Sequence, residues 1–124
     1  MPLTSAVCSR IVVVDADPRG YEAEVHDLET RRTQVEFYSS ARSVLRSPKR
    51  HPPELCIVNL QLPDMSGLDL YQMLIDRWPG VPIYLVGDQY NPEDEIRARC
   101  SGATLYFCKP IESGWLTAAT HLVA

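Results

Sequence analysis

The sequence predicts an α/β fold in one domain, a doubly wound parallel sheet of five strands with five helices. Three observations carry this prediction. Five apolar runs begin near residues 10, 33, 54, 81 and 103, each followed by a helix-compatible stretch. Three of them, Ile11-Val12-Val13-Val14, Leu55-Cys56-Ile57-Val58 and Ile83-Tyr84-Leu85-Val86, are almost unbroken hydrophobics, the pattern of strands buried on both faces beneath helices. Capping residues punctuate the stretches between them, Asp17-Pro18 and Asn91-Pro92 at helix starts and Gly102 at a helix end.

The elements follow in order. The first run ends at Asp15-Ala16-Asp17-Pro18, where Asp17 can cap a first helix that presents Tyr21, Val25 and Leu28 on one face. The second run, 33–38, alternates Val35 and Phe37 with polar Gln34 and Glu36, which suits an edge strand. A short second helix covers about 40–47. The third run closes at Asn59 and passes through Leu62-Pro63-Asp64-Met65-Ser66-Gly67 into a third helix, with Leu68, Tyr71, Ile75 and Trp78 as its apolar stripe before Pro79 stops it. After the fourth run, Asn91-Pro92-Glu93-Asp94 opens a fourth helix, with acidic groups at its positive end. The fifth run, Leu105-Tyr106-Phe107-Cys108, leads to Lys109-Pro110, and a fifth helix runs from about Glu112 to the end.

Composition excludes several classes. A hydrophobic fraction of 45% against 23% charged is that of a globular domain, not of a disordered chain. Net charge is −4 and no Lys/Arg stripe is present, so this domain carries no footprint for nucleic acid. No run approaches the roughly 18 apolar residues of a membrane helix, and the first nine residues lack the pattern of a signal peptide. Cys8, Cys56, Cys100 and Cys108 have no metal-type spacing and read as reduced thiols in a cytoplasmic protein.

The ordered set Val14-Asp15-x-Asp17-Pro18, then apolar run-Asn59-Leu60-x-Leu62-Pro63-x-Met65-x-Gly67, then Lys109-Pro110 resembles the receiver domain of two-component response regulators over nearly the whole chain. The resemblance implies the flavodoxin-like strand order 2-1-3-4-5, a bacterial signalling role and no enzyme activity. It leaves 1–124 as one receiver-like domain, either free-standing or the N-terminal part of a longer response regulator. In such sheets the first and third strands end side by side where the order reverses, which brings Asp15 to Asn59.

A working receiver is implied to hold two acidic residues after the first strand, an acceptor aspartate after the third, a hydroxyl after the fourth and a lysine after the fifth. The acceptor carboxylate attacks phosphorus, and the acids bind Mg²⁺, a hard cation that prefers oxygen. The hydroxyl and ammonium stabilise the phosphoryl charge. Carried across, Asp15 and Lys109 match, while Ala16 fills the second acidic position, Asn59 the acceptor and Val86 the hydroxyl. An amide is not a nucleophile, so this vestigial pocket is expected not to take a phosphoryl group. Mg²⁺ binding is expected to be weak or absent, with Asp15 and Asp17 the only candidate ligands and no other cofactor.

Tyr106 falls at the family's aromatic switch position, where the coupling to a hydroxyl is expected to be broken. The last helix has no Lys or Arg and places Trp115 and Leu122 outward. With Tyr106, these two are candidate anchors for a protein partner or a second copy on the fourth-helix, fifth-strand, fifth-helix face that receivers use. The leading expectation is a pseudo-receiver that signals through protein contacts without phosphorylation. One alternative is a small-ligand or redox sensor built on Asp15, Asn59, Lys109 and Cys108. The other is residual phosphorylation on a displaced carboxylate, Asp64.

Overall fold

The structure is a computed structural model that describes residues 9–19, 21, 25–26, 29, 32–47, 51–103 and 105–109. Its strands are β1 (Ser9–Val14), β2 (Thr33–Tyr38), β3 (Leu55–Asn59), β4 (Ile83–Gly87) and β5 (Leu105–Cys108). They form one parallel sheet in the order β2-β1-β3-β4-β5. Three helices are described along their length: α1 (Ala41–Leu45), α2 (Gly67–Arg77) and α3 (Pro92–Ser101). They correspond to the second, third and fourth expected helices. In the stretch of the first, Val25, His26 and Glu29 are helical, and the fifth lies outside the described residues.

The alternation of side chains along each strand divides the core into two layers. Val12, Val14, Cys56, Val58, Ile83 and Leu85 face Ala41, Val44, Leu70, Tyr71, Leu74, Trp78 and Ala98 from α1, α2, α3 and the end of α2. Ile11, Val13, Leu55, Ile57, Tyr84 and Val86 face the opposite way, packed with Tyr21 and Val25. Every one of these strand residues is at most 1% exposed, which explains the unbroken hydrophobic runs. Each such side chain is worth about 1.5–3 kcal/mol in area removed from water. β2 is at the sheet edge as its alternation implies, with Phe37 exposed and set edge-on to Tyr21 at 5.8 Å.

The apolar stripe of α2 differs from the one expected. Its buried face is Gly67, Leu70, Tyr71 and Leu74, continued by Trp78, whereas Ile75 is exposed and Leu68 only half-buried. The i, i+3, i+4, i+7 set through Gly67 wins because the helix start is pressed onto β3. A Cβ on Gly67 would lie 2.1 Å from the Asn59 carbonyl oxygen and 2.7 Å from Leu60 Cα. Only glycine permits this approach, and the Gly67 N–H to Leu60 carbonyl bond of 2.9 Å holds it. The close fit fixes the loop that carries Asn59, Leu60 and Gln61 over the carboxyl edge of the sheet.

The remaining caps follow the sequence. Asn91 Oδ1 accepts the Glu93 N–H at 2.9 Å to start α3, and Gly102 ends it at φ 88°. Ser40 and Ser43 form a reciprocal capping box at α1.

Candidate functional site

Four strand ends meet at the carboxyl edge of the sheet, and each delivers one polar side chain. Asp15 follows β1 and is 3% exposed. Its N–H bonds the Tyr38 carbonyl at 2.9 Å, and its Oδ1 accepts the Asp17 N–H at 2.9 Å. Its Oδ2 accepts from Tyr21 Oη at 3.0 Å and Asn59 Nδ2 at 3.1 Å, and lies 2.9 Å from Lys109 Nζ. Asn59, the last residue of β3, is 1% exposed. Its amide is used at both ends: Oδ1 accepts the Gln61 N–H at 2.7 Å, and Nδ2 also donates to Asp88 Oδ1 at 2.9 Å.

Asp88 follows β4. Its Oδ1 lies 3.2 Å from Lys109 Nζ, and its N–H donates to Gln61 Oε1 at 3.3 Å. Lys109 follows β5, anchored by its N–H on the Gly87 carbonyl at 2.9 Å. Asp15, Asn59, Asp88 and Lys109 thus close a ring in which the ammonium and the amide each bridge the two carboxylates.

The charge pattern explains the direction of the titrations. Burial alone would lower the Lys109 pKa, but its hydrogen bond and ion pair with Asp15, supported by Asp88, raise it above the ordinary lysine value. Burial pushes the Tyr21 phenol up strongly, and the adjacent Asp15 charge pushes it further, so Tyr21 serves as a fixed donor. A buried carboxylate is costly unless its lone pairs are occupied, and here the Asp17 amide and three side-chain donors occupy them.

Of the sequence-predicted pocket residues, Asp15, Asn59 and Lys109 are brought together. Ala16 lies at the surface beside them and offers no polar side-chain atom. Val86 requires a correction: its side chain is fully buried in the core layer of Ile57 and Tyr84, not at the pocket mouth. The following residue, Gly87, is the one whose Cβ would approach Tyr106 Oη, at 3.1 Å. The assignment was one residue early because the apolar run continues to the strand end. Neither residue carries a hydroxyl.

Tyr106 is half-buried against the α2 and α3 layer, with its hydroxyl toward Gly87 and accepting the Cys108 thiol at 3.2 Å. Asp17 Oδ1 accepts the Arg19 N–H at 3.1 Å, the bond of an N-cap. Asp17 also pairs with the Arg19 guanidinium, whose hydrogen bond holds its pKa down to about 2.

Asp64 bonds the start of α1. Its two oxygens accept the N–H groups of Ala41 and Arg42 at 3.0 and 2.8 Å, so it is a second cap on α1. Trp115 and Leu122 lie outside the described residues. The sequence reading missed Asp88, Tyr21 as a donor, and Gln61. The available signal was an acid two residues past the fourth run, on the same edge as Asp15 and Asn59.

Among the described residues no three His, Cys, Asp or Glu side chains form a group that could hold a metal ion. Asp15 is ringed by donors, Asn59 presents Nδ2 and not oxygen to the pocket, and Lys109 already lies between the two carboxylates. These residues do not fit a bound Mg²⁺.

Comparison with known proteins gives a consistent answer. The family model of the response regulator receiver domain matches residues 11–121. The chain is 33% identical over 100 residues to the transcriptional regulatory protein KdpE of Mycobacterium tuberculosis, covering 81% of this chain and 44% of that protein. It is 29% identical to the probable transcriptional regulatory protein TcrX of the same species, covering 81% and 43%. The chain therefore spans less than half the length of these relatives. Among solved structures, the non-phosphorylated HemR receiver domain from Leptospira biflexa shares the fold at TM-score 0.78 and 23% identity, over 93% of each chain. A CheY-like receiver domain protein from Methanospirillum hungatei does so at TM-score 0.79 and 24% identity, again over 93% of each. With the flavodoxin-like order of its sheet and the strand-end pocket now described, the chain belongs to the response regulator receiver domain family.

Proposed function

We propose that this receiver signals through protein contacts without being phosphorylated. The observation that carries the reading is the amide of Asn59: at the acceptor position it turns a donor, not a nucleophile, toward Asp15 and Asp88. The ring of Asp15, Asn59, Asp88 and Lys109 already satisfies the groups that a phosphoryl transfer would need free. In this reading the domain is not an enzyme, needs no cofactor, and binds Mg²⁺ weakly or not at all.

The partner is a protein or a second copy of the chain, and the domain itself contacts neither nucleic acid nor membrane. Among the described residues, no helix is long and apolar enough to cross a membrane. The contact face proposed is the side of α3, β5 and the last helix, anchored by Tyr106, Trp115 and Leu122. The exposure of Ile96 and Leu105, and a cavity of about 300 Å³ lined by Glu95, Ala98, Arg99, Ala103, Leu105 and Tyr106, support it. In this reading the domain acts in the bacterial cytoplasm, and the regulatory names of its relatives agree with the role.

The test is amide NMR with Mg²⁺ and beryllofluoride, then intact mass after acetyl phosphate. The expected result is no shift at Asp15, Asn59 or Lys109 and no added phosphate. A phosphate adduct or saturable shifts at those residues would overturn the reading.

A further inference from the structure

Asp88 has no place in the motif by which the pocket was read, yet it makes contacts in this pocket that an outside anion would make. Its Oδ1 sits 2.9 Å from the nitrogen at the acceptor position and 3.2 Å from the Lys109 ammonium. These are the only two side chains in the ring that donate, and both point at the same carboxylate oxygen. The arrangement combines a cation with a neutral donor converging on one oxygen, the pattern by which tetrahedral oxyanions are held. Asp15 touches the same two donors but its side chain is 2% exposed, whereas the Asp88 side chain is 51% exposed. Asp15 is therefore a fixed member of the fold, and Asp88 is the member that can leave.

Asp88 also carries its loop with it. Its own N–H is held by Gln61 Oε1, and Gln61 is held through its N–H by Asn59 Oδ1. The segment after β4 is thereby tied to the loop after β3, next to Tyr106, whose hydroxyl lies under Gly87.

We infer that the Asp88 carboxylate is a built-in occupant of an oxyanion site formed by Lys109 Nζ and Asn59 Nδ2, and that this occupancy latches the β4–α3 loop in a single position. With the carboxylate in place the site excludes outside anions. Without it, the same two donors accept an inorganic oxyanion. The inference rests on the reading of the pocket as phosphorylation-independent. It adds that the loop position is set from within the chain.

The experiment compares wild type, Asp88→Ala and the double variant Asp88→Ala/Lys109→Met by amide NMR during titration with millimolar inorganic phosphate. Asp88 is on an exposed loop, so Asp88→Ala is expected to fold. In that variant the amides of Gln61 and of residues 87–91 should shift before any phosphate is added and exchange faster with solvent. Phosphate should then give saturable shifts at Asn59, Gly87 and Lys109 in Asp88→Ala, and none in wild type or the double variant. Unchanged loop amides in Asp88→Ala, or phosphate shifts of the same size in wild type, would overturn the latch. Phosphate binding that persists in the double variant would place the anion elsewhere and overturn the site. A phosphate adduct on wild type after acetyl phosphate would instead sink the phosphorylation-independent reading, while the loop measurement would still stand.

Discussion

Asn59 Nδ2 lies 3.1 Å from Asp15 Oδ2, so the amide that ends β3 acts as a donor to a buried acid. Asn59→Asp would replace that hydrogen bond by a like-charge contact, with Asp88 as a second acid close by. A buried charge poorly compensated in this way should lower stability by about 3 kcal/mol at neutral pH. Repulsion would raise the folded-state pKa of the introduced carboxylate above its unfolded value. The deficit is therefore complete at neutrality and shrinks as pH falls through that raised value. Urea denaturation of both proteins across the acid range checks the magnitude and the sign.

Lys109→Met should cost roughly 3–5 kcal/mol, because it leaves Asp15 buried beside an empty cation position. Removing both charges, in Asp15→Asn/Lys109→Met, should cost less than the sum of the single changes. A double-mutant cycle by denaturant unfolding measures that coupling. Additive losses would mean that the pair contributes no interaction of its own.

The alkaline limb of stability should reveal the same cluster. Tyr21 and Lys109 both have folded pKa values raised above their ordinary 10.0 and 10.5. Groups raised on folding contribute stability that is fully present below the unfolded pKa and is lost as pH rises through the folded one. Wild type should therefore lose stability above about pH 10. Tyr21→Phe and Lys109→Met should each start lower and fall less steeply, as read from chemical denaturation between neutral and strongly alkaline pH. Parallel curves for all three proteins would contradict this.

Gly67→Ala should destabilise by about 3 kcal/mol, since the added methyl meets the Asn59 carbonyl and the Leu60 backbone, neither of which can rotate away. Gly80→Ala offers a contrast, because nothing lies within 4 Å of its Cβ position and the cost there comes from its positive φ of 84° alone. Thermal unfolding of the two variants should rank Gly67→Ala as the less stable, and shifted amides at Asn59 and Gln61 should appear in that variant only.

The sheet was legible because strands buried on both faces cannot hide in sequence: Ile11 to Val14 and Leu55 to Val58 admit few other readings. Asp15, Asn59 and Lys109 were legible for a related reason, each standing at the point where an apolar run gives way to a loop. Asp88 stands at such a point too, but its partner Lys109 is contributed by a different strand end, and only the order β3-β4-β5 brings them together. Val86 misled because strand burial persists to the last residue, so the polar edge begins one position later than the apolar run suggests. In α2, Leu68 and Ile75 compete with Leu70 and Leu74 as apolar face. The contact that chooses between them is Gly67 against a backbone carbonyl, which no periodicity records.

The ring at the strand ends also bears on how long the native state lasts. It joins positions 44 and 29 residues apart in the chain, and it can close only once β1, β3, β4 and β5 lie in register. A ring that demands so much prior order is expected to close after the folding transition state. Loss of Lys109 should then appear almost wholly in the unfolding arm of a chevron plot, with the refolding arm little changed. The polar ring would contribute little to how fast the sheet assembles, and its main kinetic effect would be to delay the sheet's opening.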